Sequence, residues 1–134
     1  MSHEDRGLID WTAFSQARSE LGAGFVRILG YFREDGVKSV AAIEAAMRGL
    51  NAAAMVLPAH TLKGEARQFG ADPLGALAEK IEAIARDCVE NRDTPDEALK
   101  AVVELRPLFE RTLEMLERES NPLVERRPAF GRRQ

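Results

Sequence analysis

The sequence holds two histidines, His3 and His60, and one cysteine, Cys88. His3 lies in a polar terminal stretch, MSHEDRG, that no apolar pattern ties down. His60 lies inside a helical pattern. On an ideal helix each residue advances about 100°. Met55, Ala59, Leu62, Ala66 and Phe69 then share one arc, which must face the core. His60 points away from it, with Gly64 one turn further on, Arg67 two turns on, and Lys63 on the flank. A solvated helix face accounts for a surface histidine among cations in most proteins. Three features argue for more here. A glycine inside a helix costs about 1 kcal/mol against alanine, and Gly64 accepts that cost where a missing side chain would let a partner approach. Lys63 and Arg67 put positive charge where a phosphoryl group would sit. Val56 and Leu57 add apolar surface next to this polar centre, and Gln68 offers a hydrogen bond at its rim, which together read as a docking patch. A neutral imidazole is a competent nucleophile toward phosphorus, and free imidazole side chains, with a pKa of about 6.5, are mostly neutral at pH 7. Metal or acyl-phosphate chemistry would have to come from a partner.

Helices must position these residues. Asp10 can cap a short helix over 11–20, where Trp11 and Phe14 turn inward together. Gly22 and Gly24 mark a soft boundary. A long helix over 23–48 follows, with the stripe Phe25, Ile28, Leu29, Phe32, Val40, Ile43 and Met47, and with Gly36 expected as a bend. Gly49, Leu50 and Asn51 form a turn with Asn51 as cap. The third helix covers 52–69 and ends at Gly70. Pro58 leaves two options: a kink, or a regular helix that starts near Leu57. Asp72 as cap and Pro73 in first position open the fourth helix, with the stripe Leu74, Leu77, Ile81, Ile84 and Cys88. Cys88 reads as a buried thiol. After a polar loop at 91–93, Thr94 and Pro95 repeat that signal for a fifth helix. Its stripe is Ala98, Val102, Leu105, Phe109, Thr112 and Leu116, and Pro107 is expected to bend it.

Four long amphipathic helices with short connections predict an all-α, antiparallel four-helix bundle, with a short additional N-terminal helix over one end. The expected division is a flexible N-terminus over 1–7, the bundle over 8–119, and a basic, mobile tail over 120–134. Composition agrees: 45% of residues are hydrophobic but only 6% aromatic, with Ala and Leu dominant, which favours helices over strands. A net charge of −3 with 31% charged residues argues against a nucleic-acid partner. One cysteine excludes an internal disulfide. No apolar run approaches the ~20 residues of a membrane span, and no signal peptide is visible, so a cytoplasmic protein is expected.

The run Ala59-His60-Thr61-Leu62-Lys63-Gly64, followed by Ala66, Phe69, Gly70 and Ala71, resembles the signature of histidine-containing phosphotransfer domains, and Leu74, Leu77 and Glu82 fit that family's next helix. The resemblance implies that His60 is the phosphorylated residue, Lys63 a phosphate-stabilising cation and Gly64 the space for a receiver domain. It also implies a phosphorelay intermediate, likewise expected to be monomeric. It would take a phosphoryl group from one receiver-domain aspartate and pass it to another, without kinase activity of its own. The implied partners are response-regulator receiver domains and a hybrid histidine kinase. No cofactor is expected on this chain, Mg²⁺ being held by the receiver. Two positions depart from the pattern: Glu65 stands where a small residue is common, and Pro58 closely precedes the histidine.

Three other readings remain open on the residues. A histidine-kinase dimerisation bundle would also carry an exposed histidine, but no glycine-rich nucleotide motif follows it. A metal-binding bundle needs inward Glu and Glu-x-x-His pairs, and the chain has no Glu-x-x-His. A non-catalytic receiver-binding module would keep the same patch, and only chemistry on His60 separates it from a carrier.

Overall fold

A computed structural model describes residues 7–120. The expected N-terminal extension, apart from Gly7, and the basic tail beyond Ser120 lie outside the described residues, as does His3. Within them the chain is helical: α1 (Trp11–Leu21), a 3₁₀ turn (Gly22–Gly24), α2 (Phe25–Arg48), α3 (Ala52–Gln68), α4 (Asp72–Asn91), a second 3₁₀ turn (Asp96–Ala98) and α5 (Leu99–Ser120). Helices joined by such short turns must reverse direction to pack. α2 packs on α3, α3 on α4, α4 on α5, and α5 returns to α2, which closes a four-helix bundle.

Three of the helix ends share one device. After α2, α3 and α4 the backbone enters the left-handed region at Leu50, Gly70 and Arg92. The following amide then reaches back to the last turn, as in Ala71 N–H to Ala66 O at 2.9 Å. Only at Gly70 is the glycine indispensable for a second reason. An added Cβ there would lie 2.6 Å from Asp10 O. The Asp10 amide also donates to Gly70 O at 2.8 Å, while its carboxylate accepts from Thr12 N and Ala13 N at 3.1 and 3.2 Å. The end of α3 thus anchors the start of α1.

Six aromatic residues form one column. Trp11, Phe14, Phe25, Phe69, Phe32 and Phe109 follow each other at centroid separations of 5.1–5.8 Å, mostly edge to face. Around it Val40, Ile43, Met55, Leu62, Leu74, Ile81, Leu105 and Leu116 are fully buried, each contributing about 1.5–3 kcal/mol of apolar burial.

Several local expectations need correction. α2 passes through Gly36 without a break. Gly36 is buried against Phe109, whose ring carbons would lie 2.4 and 2.6 Å from an added Cβ, so this glycine permits close approach of α2 and α5. α3 starts at Ala52 under an Asn51 cap (Ala54 N to Oδ1, 3.1 Å) and runs on through Pro58, so it does not begin near Leu57. α4 starts one residue early, with Asp72 and Pro73 as its first residues and Ala71 as cap. Thr94 and Pro95 lead into a 3₁₀ turn before α5, which continues through Pro107, an exposed position where the carbonyl left without a donor can meet water. Ser120, assigned above to the tail, is the buried last residue of α5, and its hydroxyl donates to Leu116 O at 2.7 Å.

The inward face of α4 is also rotated from the expected stripe. Leu77 and Ile84 are half-buried, while Gly75, Ala78, Glu82 and Ala85 join Leu74, Ile81 and Cys88 inside. Small side chains on this face let α3 and α4 close into the most extensive helix contact in the bundle. That seam carries the site.

Candidate functional site

The inward face of α3 is the one the periodicity predicts: Met55, Ala59, Leu62, Ala66 and Phe69 are all fully buried. Opposite them runs an outward stripe of Leu57, His60, Gly64, Arg67 and Gln68, all exposed. The His60 side chain is 56% exposed, and Leu57 is 71% exposed. Nothing lies within 4 Å of a Cβ added at Gly64, so the surface beside His60 is open. Val56 differs from expectation: it is half-buried and packed against the core, which leaves Leu57 as the more prominent apolar residue of the patch.

The sequence reading placed Glu82 on the next helix and missed what it does there. Its side chain is only 7% exposed, yet it is charged and faces α3 from α4. Oε2 lies 3.0 Å from His60 Nδ1 and receives Arg86 Nε at 2.9 Å and Arg86 Nη2 at 2.8 Å. Oε1 lies 2.9 Å from Lys63 Nζ. Lys63 and Glu82 thus form a close ion pair across the seam. Burial alone would raise the Glu82 pKa, but the contacts with Lys63, Arg86 and His60 outweigh it and hold the carboxyl down at about 2. Glu82 is therefore ionised at neutral pH and can only accept. His60 Nδ1 must be the donor in this contact, which puts the imidazole in the Nδ1–H tautomer. Nε2, the nucleophilic nitrogen of that tautomer, makes no hydrogen bond among the described residues.

Helix spacing explains the cluster. His60 and Lys63 are three apart on α3, and Glu82 and Arg86 are four apart on α4, so each pair shares a face. Lys63 reaches back across the seam and is only 21% exposed.

The other cations stand differently. Arg67 lies across Gly75, where an added Cβ would sit 2.9 Å from its Cγ, and its guanidinium holds Glu79 at 2.7 Å. It is brought to the same seam but not into the His60–Glu82 cluster. Gln68 is exposed at the end of α3. On the opposite flank Glu65 meets Asp35 of α2. Burial first, then the Asp35 carboxyl, push the Glu65 pKa up to about 7, and Glu65 Oε1 has no partner among the described residues.

Among the described residues no group of three or more His, Cys, Asp and Glu side chains is arranged to hold a metal ion. No helix there is long and apolar enough to cross a membrane. A groove between α4 and α5, lined by Pro73, Leu77, Val103, Pro107 and Leu108 among others, contains none of the site residues. Cys88 is buried, and burial raises its thiol pKa, which makes it a poor nucleophile.

No curated protein and no solved structure matches the chain. The family model of the Hpt domain matches residues 27–120, from the first turn of α2 to the end of α5 and across the whole His60–Glu82 seam, and by that match the chain belongs to the Hpt family of phosphocarrier domains, which exchange phosphoryl groups with receiver domains in two-component signalling.

Proposed function

We propose that this protein is a phosphorelay intermediate that accepts a phosphoryl group on His60 Nε2 from a receiver-domain aspartate and delivers it to the aspartate of a second receiver. The observation that carries this reading is the state of His60. Its ring is exposed, one nitrogen is committed to a buried carboxylate, and the other is free beside an open glycine surface.

In the forward step the Nε2 lone pair attacks phosphorus, the acyl-phosphate O–P bond breaks, and its electron pair returns to the receiver aspartate. The Nδ1 proton stays where it is. Lys63 is the cation best placed to steady the incoming phosphoryl oxygens, because it sits one turn from His60 with its ammonium already in the cluster. Arg67 could help only by leaving Glu79. Leu57, the exposed edge of Val56, Gly64 and Gln68 form the surface on which the receiver docks. Mg²⁺ belongs to the receiver, where the acyl phosphate is made and broken, and a hybrid histidine kinase is the proposed source of the phosphoryl group.

The test is transfer from a phosphorylated receiver or hybrid kinase to the wild type and to His60→Gln side by side. The wild type should gain label that is acid-labile and alkali-stable, as phosphohistidine is, and His60→Gln should gain none while keeping its helical signal. Label on the variant would overturn the assignment. A folded wild type that takes no label from any donor would make His60 a docking residue of a binding module.

A further inference from the structure

We propose that the outward face of α2 is a self-association surface, on which two copies of the chain cross antiparallel at Gly30 and Tyr31 and each Arg27 pairs with Glu34 of the other copy. Nothing in this contact depends on the chemistry of His60.

Gly30 has no packing role within one copy. It lies in the interior of α2, where glycine is less favourable than alanine. Gly36 on the same helix admits the ring of Phe109, but a Cβ added at Gly30 meets nothing within 4 Å, and the position is exposed. Beside it stands Tyr31, 52% exposed, whose hydroxyl has no partner among the described residues. Val26 and Val37 lie exposed along one edge of the same face. Large apolar side chains thus gather around an open glycine, where the outer face of a surface helix is ordinarily polar.

Charge identifies the occupant. At about 100° per residue, Arg27 and Glu34 stand almost in line, both pointing straight away from the buried Phe25, Leu29, Phe32 and Ile43. They are two turns apart, about 10 Å along the axis, and neither side chain forms a hydrogen bond or ion pair among the described residues. The point midway between them falls between Gly30 and Tyr31. A cation and an anion equidistant from one point are complementary to themselves under a two-fold axis through that point. The axis sets Arg27 against Glu34 of the second copy and Glu34 against its Arg27, so the ion pair forms twice. It also lays each Tyr31 ring over the other copy's Gly30, where the missing Cβ leaves room and where an aromatic side chain buries much area. The remaining charges do not oppose this. Arg33 is turned to α5, where it holds Glu117, and Asp35 is turned to Glu65 of α3. Lys38 falls against Ala23 of the second copy, which carries no charge. The contact uses α2 alone, so the His60 face of α3 stays open in both copies. A single helix face buries little area, so the pair is a weak one, and salt weakens it further.

The experiment is sedimentation equilibrium at low salt, from about 10 μM to about 1 mM, on the full chain. The wild type should move from monomer toward dimer across this range. Arg27→Glu and Glu34→Arg each bring like charges together at both contacts and should weaken association by about tenfold or more. Mixed in equal amounts and carrying different fluorophores, these two variants should pair with each other, because each supplies the charge the other lacks. The double variant Arg27→Glu/Glu34→Arg should recover wild-type association. Gly30→Leu fills the crossing point and should abolish the dimer while the helical signal is kept. A wild type still monomeric at about 1 mM would overturn the proposal. So would variants that associate as the wild type does, because the pair would then form through another face, or a mixture that pairs no better than its components. A monomeric wild type in which Tyr31 becomes protected only on adding a receiver domain would give the face to the receiver and refute self-association.

Discussion

Glu65 offers the most direct test of the electrostatics. Its carboxyl is partly enclosed against Asp35 across the α2–α3 seam, and its pKa stands at about 7 in place of the ordinary 4.5. Between pH 4.5 and 7 the folded chain therefore holds a proton that the unfolded chain has released. Stability contributed by this group is full below pH 4.5, falls as pH rises through that window, and is gone above 7. A displacement from 4.5 to 7 corresponds to an upper bound of about 3 kcal/mol, and solvent around a half-exposed group cuts that to about 1–2 kcal/mol. Glu65→Gln removes the ionisation and keeps the shape. Its stability by urea denaturation should match the wild type near pH 4.5 and exceed it by about 1–2 kcal/mol at pH 8, and its stability should change less between pH 5 and 7. A variant that is less stable than the wild type at pH 8, or that keeps the wild-type slope, would falsify the view that Glu65 carries a buried proton.

Gly36 and Gly64 should respond oppositely to alanine. Gly36→Ala drives a methyl group into a buried ring at 2.4 Å; overpacking of about 1–3 kcal/mol outweighs the gain in helix propensity, so thermal unfolding should move down. Gly64→Ala meets open space and should raise the melting temperature by the equivalent of up to about 1 kcal/mol while slowing phosphotransfer from a receiver, with the loss growing for bulkier replacements. Lys63→Ala removes the ammonium 2.9 Å from Glu82 and should slow acceptance by about tenfold to a hundredfold, the worth of one charge-assisted contact, without abolishing it; unchanged single-turnover rates would remove Lys63 from the site.

The sequence made the histidine face legible because α3 obeys its period closely. Five apolar residues on one arc leave His60 on the other side whatever the rest of the fold does. Glu82 was not legible in the same way. A charged residue inside an amphipathic pattern is assigned outward by default, and here the true inward face of α4 is built from Gly75, Ala78 and Ala85, which carry little apolar signal. Leu77 and Ile84 pulled the expected stripe to one side. Glu82 with Arg86 one turn on could have suggested a held carboxylate, but not that its partner would be the histidine twenty-two residues earlier. The packing role of Gly36 was hidden for a related reason. In one dimension a glycine that bends a helix and a glycine that admits a neighbouring ring look identical, and only the position of Phe109 separates them. Pro58 shows the converse, since it sits inside an unbroken helix where a start near Leu57 was one of the two expectations, and α5 likewise runs on through Pro107.

The α3–α4 seam joins the fold to the chemistry. Burying a lone carboxylate is costly, and an apolar residue in its place is often no less stable. Glu82 is tolerable only because His60, Lys63 and Arg86 all converge on it. Those are the groups a phosphocarrier needs: a ring with one nitrogen fixed and the other free, and cations next to it. Small residues on α4 bring the helices close enough for the contacts to form, and Gly64 keeps the opposite surface clear. The cations are bound before any phosphoryl group arrives, so they need no large rearrangement to meet it. On the proposed reading, a dianion at Nε2 would compete with Glu82 for the same ammonium and guanidinium.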